Sequence, residues 1–187
     1  MTRLYKWRFG KARFALLALG LLAFCALTAI LLWEGRSPAE EAQKYYEHGA
    51  KLLEQRDYVK ASIELRNAVR LKSDLLPAWH SLAQIDEATK NWPHLIARLQ
   101  SIVSLDPSDT EARIKLARLL LFSGSVREAL AATNMSNEAE SRNGRLLGIK
   151  AAILYRLNYP VKAVQQAQDA LGIEPNNPDA LMVLAVD

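Results

Sequence analysis

The chain has 187 residues, of which 50% are hydrophobic and only 8 are glycine, and this composition excludes a largely disordered chain. The formal net charge is +4, but positions 1–13 hold five Lys or Arg and no acid, so positions 14–187 carry a net charge of −1 (+4 less the +5 of the tail). A nearly neutral body argues against nucleic-acid binding, which needs clustered basic residues.

An apolar segment follows this basic cytoplasmic tail (1–13). Residues 14–33 form a run of 20 residues without a charge, and a helix of that length spans about 30 Å, the thickness of a bilayer core. The basic residues before the run predict the N-terminus in the cytoplasm and the rest of the chain across the membrane. We therefore predict a transmembrane signal anchor in the inner (cytoplasmic) membrane and a periplasmic, or equivalent external, body.

Three other interpretations of this segment stay open. A cleaved signal peptide would use the late site at Ser37-Pro38-Ala39, but its apolar region is normally shorter. A lipoprotein would use Cys25, the only cysteine in the chain, but bulky Phe24 precedes it. A buried core helix is the third alternative, although the basic tail argues against it. The uncleaved anchor explains the flanking charges best.

A short juxtamembrane link with a helix start (34–41) leads into the body. Ser37 and Glu40 have the spacing of a helix capping box, with Pro38 at the first helical position.

From residue 42 onward the sequence repeats at a constant interval of about 34 residues, here called the repeat length. Frames of this length cover 42–75, 76–109, 110–143 and 144–177, with a fifth opening at 178–187. Small residues recur at the eighth position, which indicates that two helix backbones approach closely there, and small or aliphatic residues recur at the twentieth and twenty-seventh. The three columns are Gly49, Ala83, Ala117, Ala151 and Ala185; then Ala61, Leu95, Ala129 and Ala163; then Ala68, Ile102, Ser136 and Ala170.

These residues resemble the tetratricopeptide repeat (TPR), a helix-turn-helix unit of about 34 residues that must stack on its neighbours to bury its apolar face. The resemblance covers residue 42 to the C-terminus and implies an all-α solenoid. Its motif positions also include Tyr45, Asp57-Tyr58, Trp79, Leu82, Trp92, Pro107, Leu116, Gly124 and Pro175.

Three departures from the pattern carry expectations. His48 and Lys150 stand in a column that is leucine in other frames, which predicts looser packing there. The third frame loses its pattern at 133–137, which predicts a short second helix before a turn at Asn143-Gly144. The fifth frame ends in 181–186, an apolar stretch that favours a fragment of a longer array or self-association through this edge.

Motifs for chemistry are missing from the sequence. It contains no Gly-rich phosphate loop, no Cys-x-x-Cys and no His-Glu-x-x-His, and His48, His80 and His94 lack metal-ligand spacing. Carboxylates such as Asp57, Asp86 and Asp106 are interpreted as turn, cap or surface residues. We expect no enzyme activity, no cofactor and no metal.

The resemblance implies that the first helix of each unit lines a groove that holds a peptide. The later frames contribute mostly basic residues, partly offset by Glu87 and Glu111, so we expect a protein partner with an acidic segment. The family's carboxylate clamp for chaperone tails is not reproduced, because Tyr46 and Ala50 occupy its positions in the first frame. The groove candidates are Tyr46, His80, Gln84, Lys115, Arg118, Phe122, Arg145, Tyr155 and Arg156.

Together these features predict a membrane-anchored protein-binding scaffold that assembles or stabilises an envelope complex. The repeats loosely resemble those of bacterial envelope TPR proteins, including ones associated with exopolysaccharide export. Two alternatives stay open: a structural subunit that bridges an oligomer, and the N-terminal accessory module of a longer enzyme or outer-membrane export protein.

Overall fold

The computed structural model describes residues 37–134 and 142–185. The basic tail (1–13), the signal anchor (14–33), the first three residues of the link, Ser136 and Val186 lie outside the described residues. Among the helices within these two ranges, none is both long enough and apolar enough to cross a membrane. The described residues from Ala42 onward belong to one compact unit.

The described residues form helices only, arranged as successive antiparallel pairs, and from the second helix onward the helix starts recur at the repeat length. Odd-numbered helices are the first of each pair and even-numbered helices the second. The bounds are α1 Pro38–Glu54, α2 Tyr58–Leu71, α3 Leu76–Ala88, α4 Trp92–Leu105, α5 Thr110–Phe122, α6 Val126–Ala132, α7 Gly144–Arg156, α8 Pro160–Ile173 and α9 Pro178–Ala185.

Short polar side chains cap the starts of several helices, because the first N–H groups of a helix have no partner inside it. The Ser37 hydroxyl accepts from the Glu40 N–H at 3.2 Å, as the capping-box spacing predicted. Asp109 and Asn143 do the same for α5 and α7, accepting from N–H groups three residues on. The Asn143-Gly144 turn prediction was therefore wrong: Asn143 is a helix cap and Gly144 is the first residue of α7.

A left-handed residue stands between the two helices of every described pair. It is Arg56, Lys90, Gly124 and Asn158 in turn, with φ values of 60°, 57°, 85° and 62°, each one repeat length after the last. Only glycine adopts this conformation without steric cost. The backbone requirement therefore belongs to the repeat and is met by glycine in the third unit alone.

The columns of small residues are where helices touch. At the eighth position, Gly49 packs so closely on α2 that an added Cβ would lie 2.7 Å from Leu65 Cγ. Ala117 and Ala151 are fully buried, whereas Ala185 near the end of α9 is exposed. Every described residue of the other two columns is at least 98% buried: Ala61, Leu95, Ala129 and Ala163, then Ala68, Ile102 and Ala170.

The column that contains His48, Leu82, Leu116, Lys150 and Leu184 is buried in part. Leu82 and Leu116 are buried. His48 is exposed at the corresponding position, and Lys150 is half-buried. Leu184, the leucine of this column in the fifth frame, is half-buried like Lys150, so exposure does not separate the polar positions from the leucines, and looser packing there stays a prediction.

The third unit has a short second helix and a buried arginine. Helix α6 spans 7 residues, against 14 in each of α2, α4 and α8. Arg113 on α5 is 94% buried, and its Nη1 donates to the carbonyls of Ala132 and Asn134 at 3.2 and 2.8 Å. The guanidinium thus satisfies carbonyl oxygens at and just beyond the end of α6, a contact that the sequence analysis missed.

One acid was assigned to the wrong environment. Asp86 was interpreted as a turn, cap or surface residue, but it is 91% buried on α3, and its Oδ2 lies 3.4 Å from Arg98 Nε on α4. The same guanidinium lies over the half-buried Trp79 ring, 5.5 Å from its centroid. Burial is tolerated because the carboxylate has a cationic partner.

Candidate partner-binding groove

The first helices of three consecutive units enclose a cavity of about 580 Å³, here called the late groove. Helix α5 contributes one wall, α7 the floor and α9 the other wall. Since these helices start one repeat length apart, side chains at like positions face the same opening. The lining consists of Arg118, Leu121, Phe122, Ile149, Ala152, Tyr155, Arg156, Asp179, Met182 and Val183.

Large apolar side chains project into solvent at the late groove. Phe122 is 91% exposed, Met182 56% and Tyr155 38%. Isolated exposed apolar residues are common on protein surfaces, but several around one concavity mark an interaction site. This cavity is therefore suited to receive apolar side chains from a partner.

A second cavity of about 330 Å³, the early groove, lies between α3 and α5 and reaches down to α4. It is more polar than the late groove. His80 Nε2 lies 3.3 Å from Asp109 Oδ2 across it. Its lining consists of His80, Ala83, Gln84, Glu87, Leu95, Leu99, Asp109, Glu111, Ala112 and Lys115.

Ion pairs join neighbouring first helices along this face. Lys115 Nζ lies 2.7 Å from Glu87 Oε2, which links α5 to α3. Arg145 Nη1 lies 2.5 Å from Glu111 Oε1 and links α7 to α5.

The third pair spans further. Arg118 Nη2 on α5 lies 2.6 Å from Asp179 Oδ2 on α9, a partner 61 residues along the chain. Asp179 is the more enclosed member, with a side chain 19% exposed. Three of the four predicted basic groove residues thus already have a carboxylate partner.

The structure places most of the predicted groove residues at one of the two cavities. Arg145 lines neither and instead pairs with Glu111 beside the early groove. Tyr46 also lines neither, because its half-buried ring packs with the core residues of the first two pairs. His80, Gln84 and Lys115 line the early groove, and Arg118, Phe122, Tyr155 and Arg156 line the late groove.

The predicted groove residues did not include several residues that line the late groove, namely Leu121, Ile149, Ala152, Asp179, Met182 and Val183. Asp179 and Met182 lie in the incomplete fifth frame, which was interpreted as an edge. The signal was available: α9 starts one repeat length after α7, so Asp179 follows from the offset that gave Arg145, and Met182 from the offset that gave His80.

Two carboxylates with lowered pKa values lie away from both cavities. The pKa of Asp57 is lowered, mainly by the hydrogen bond from the Lys60 side chain, and that of Asp106 by the hydrogen bond from the Ser108 hydroxyl. Both carboxylates lie at helix ends outside the grooves. In residues 37–134 and 142–185, no group of three or more His, Cys, Asp or Glu is placed to hold a metal ion.

A further cleft of about 310 Å³ lies on the opposite side of the pairs, between α2 and α4. Exposed Val59 and Arg66 flank its mouth, and the Asp86–Arg98 pair forms part of its base. The pair there is internally neutralised, so the cleft offers no uncompensated buried charge.

No protein-family model matches the chain, and no curated protein does either. Solved structures do match. The crystal structure of YrrB, a TPR protein with an unusual peptide-binding site, is similar with a TM-score of 0.62 and 22% identity, over 77% of this chain and 74% of that one.

Two further solved structures are similar to this chain in fold. The MamA protein matches with a TM-score of 0.66 and 15% identity, over 79% of this chain and 80% of that chain. A tetratricopeptide repeat protein from Parabacteroides merdae matches with a TM-score of 0.64 and 16% identity, over 79% and 59% respectively. The helix pairs therefore have the TPR fold, as the repeat pattern predicted.

Proposed function

We propose that this chain is a non-enzymatic, membrane-anchored scaffold that binds a segment of a partner protein in the late groove. The observation that carries the proposal is the concavity between α5, α7 and α9, with Phe122, Tyr155 and Met182 exposed around it. A TPR fold favours protein interaction, and the structurally similar YrrB has a peptide-binding site. A concave apolar surface with a few polar groups is what a bound segment needs.

The anchor in this proposal rests on the sequence of residues 14–33, which lie outside the described residues. The uncharged run and the basic tail support an inner-membrane anchor with the helix pairs on the periplasmic side. An envelope complex is then the proposed setting, and polysaccharide export is one such setting.

The binding test uses the full chain in detergent micelles. A displayed library of random 15-residue peptides is selected against it, and the affinity of the enriched peptides is measured by fluorescence anisotropy. We expect Phe122→Ser and Tyr155→Ala each to weaken binding about tenfold, since truncating a buried aromatic anchor commonly has such an effect.

The matched control is Val161→Ser on α8, which removes an apolar side chain that is 83% exposed and outside both grooves. We expect it to leave affinity unchanged. Failure to enrich any peptide, or equal losses in all three variants, would overturn the assignment of the late groove.

A second candidate function is bridging of an oligomer through the outer face of α9. Leu181 is 47% exposed there, and its equivalent in the preceding unit, Leu147, is 92% buried. Light scattering on the full chain tests this candidate. Self-association that Leu181→Glu abolishes supports it, and a monomer at all concentrations removes it.

A further inference from the structure

We propose that the late groove selects a partner segment with a single carboxylate between apolar side chains, and that Arg156 is the residue that pairs with this carboxylate. The inference rests on the proposed function, because it names the chemistry of the segment bound at the same site. It also revises the expectation of a broadly basic groove.

The first step is the charge that remains after internal pairing. Lys115, Arg118 and Arg145 each have a carboxylate within 2.7 Å on another first helix. An incoming acid would have to compete with a carboxylate that is already held in place by the fold. These three side chains are therefore poor choices for selecting a partner and instead join helices along the groove.

The second step is that Arg156 differs from them. It is the last residue of α7 and lines the late groove. Across the described part of the chain, no carboxylate lies within 4.0 Å of its guanidinium. Two arginines and one aspartate line this cavity, which leaves one positive charge for a partner to neutralise. A single carboxylate on the partner would neutralise the charge of Arg156.

The third step is the neighbourhood of that charge. Tyr155 precedes Arg156, and Phe122 and Met182 line the same cavity. A segment that covers these apolar side chains excludes water from the guanidinium, which strengthens a charge-assisted hydrogen bond and penalises a neutral or basic replacement. A carboxylate flanked by apolar side chains meets both requirements at once.

The experiment uses the peptides enriched by selection against the full chain in detergent. Each Asp or Glu in the tightest binder is changed to Asn or Gln, and affinities are measured for the unaltered chain and for Arg156→Gln. We expect one such change to weaken binding about tenfold, Arg156→Gln to weaken it equally, and the two together to cost no more than either alone. Arg156→Glu should regain affinity for a peptide with Lys at that position.

Arg127→Gln is the matched control, because this arginine is exposed on α6 and lines neither groove. Salt should weaken binding to the unaltered chain more than binding to Arg156→Gln. If peptides bind, Phe122→Ser weakens them, and Arg156→Gln does not, this inference fails while the proposed function stands. If no peptide is enriched, both fail. Enriched peptides without any acid would also overturn the inference.

Discussion

Trp79 and Arg113 occupy the same position of consecutive units, and each donates a hydrogen bond to the carbonyl six residues before it. The indole Nε1 of Trp79 donates to Ser73 O at 2.8 Å, and Nη2 of Arg113 donates to Pro107 O. The arginine therefore reproduces the tryptophan's contact, while its Nη1 reaches the carbonyls around the end of α6. The polar replacement coincides with the short second helix.

Replacing Arg113 tests this role. Arg113→Met keeps the stem but leaves three carbonyls without their donor, and we expect the free energy of unfolding to fall by about 2–3 kcal/mol. Urea denaturation measures it, with Arg127→Met on the surface of α6 as the control. A variant as stable as the unaltered chain would show that this buried charge is replaceable by apolar packing, as some buried ion pairs are.

Two exposed glycines should respond to alanine with opposite signs. At each, an added Cβ would meet nothing within 4 Å, but Gly124 has φ 85° and Gly172 lies in α8. Gly124→Ala should lower the free energy of unfolding by about 1–2 kcal/mol, because the left-handed conformation is strained for alanine. Gly172→Ala should raise it by about 0.5–1 kcal/mol. Thermal unfolding of both variants checks the pair, and two changes of the same sign would contradict the backbone argument.

A third glycine should be intolerant for a steric reason. A Cβ at Gly148 would overlap the side chain of Asn177, which is fully buried, donates to Gly144 O at 3.1 Å and accepts from the Ala180 N–H at 3.0 Å. Gly148→Ala should cost about 1–3 kcal/mol.

Hydrogen exchange locates that loss. We expect the amides of α9 to lose protection first, because Asn177 caps that helix. Gly172→Ala is the control, and uniform loss of protection across all helices would argue against a local effect on the cap.

Topology is predicted from the N-terminal sequence. The full chain is expressed in a Gram-negative bacterium, and spheroplasts are treated with protease. An intact-mass band in the membrane fraction that external protease degrades is the expected result, because the basic tail should stay in the cytoplasm. A soluble band shortened by about 39 residues would instead indicate a cleaved signal peptide, and protection from protease would invert the orientation.

The sequence predicted the TPR fold well, because helix pairing in a repeat depends on local periodicity and on small residues such as Gly49 and Ala117. It did not predict which charged side chains pair with one another. The Arg118–Asp179 contact joins residues 61 positions apart, and no local pattern reports such a distance.

The structural roles of residues that replace the usual residue of a repeat position were also not predicted. Nothing in the sequence indicated the burial of Arg113, because its role depends on the next helix, α6, ending early enough for the guanidinium to reach the backbone there. The residue type of Lys90 does not indicate its left-handed backbone conformation, φ 57°. Gly124, at the same position of the third frame, is of the residue type that favours it.

The regular spacing of the left-handed residues limits the lengths of insertion and deletion that the fold can accept. Arg56, Lys90, Gly124 and Asn158 recur in step with the starts of the helices that follow them. An inserted or deleted segment of one repeat length would keep each reversal of direction at its proper place, and a segment of another length would move it into a helix. Variation in array length is therefore expected to be gained and lost in whole units, as exchange of gene segments of about 34 codons would produce.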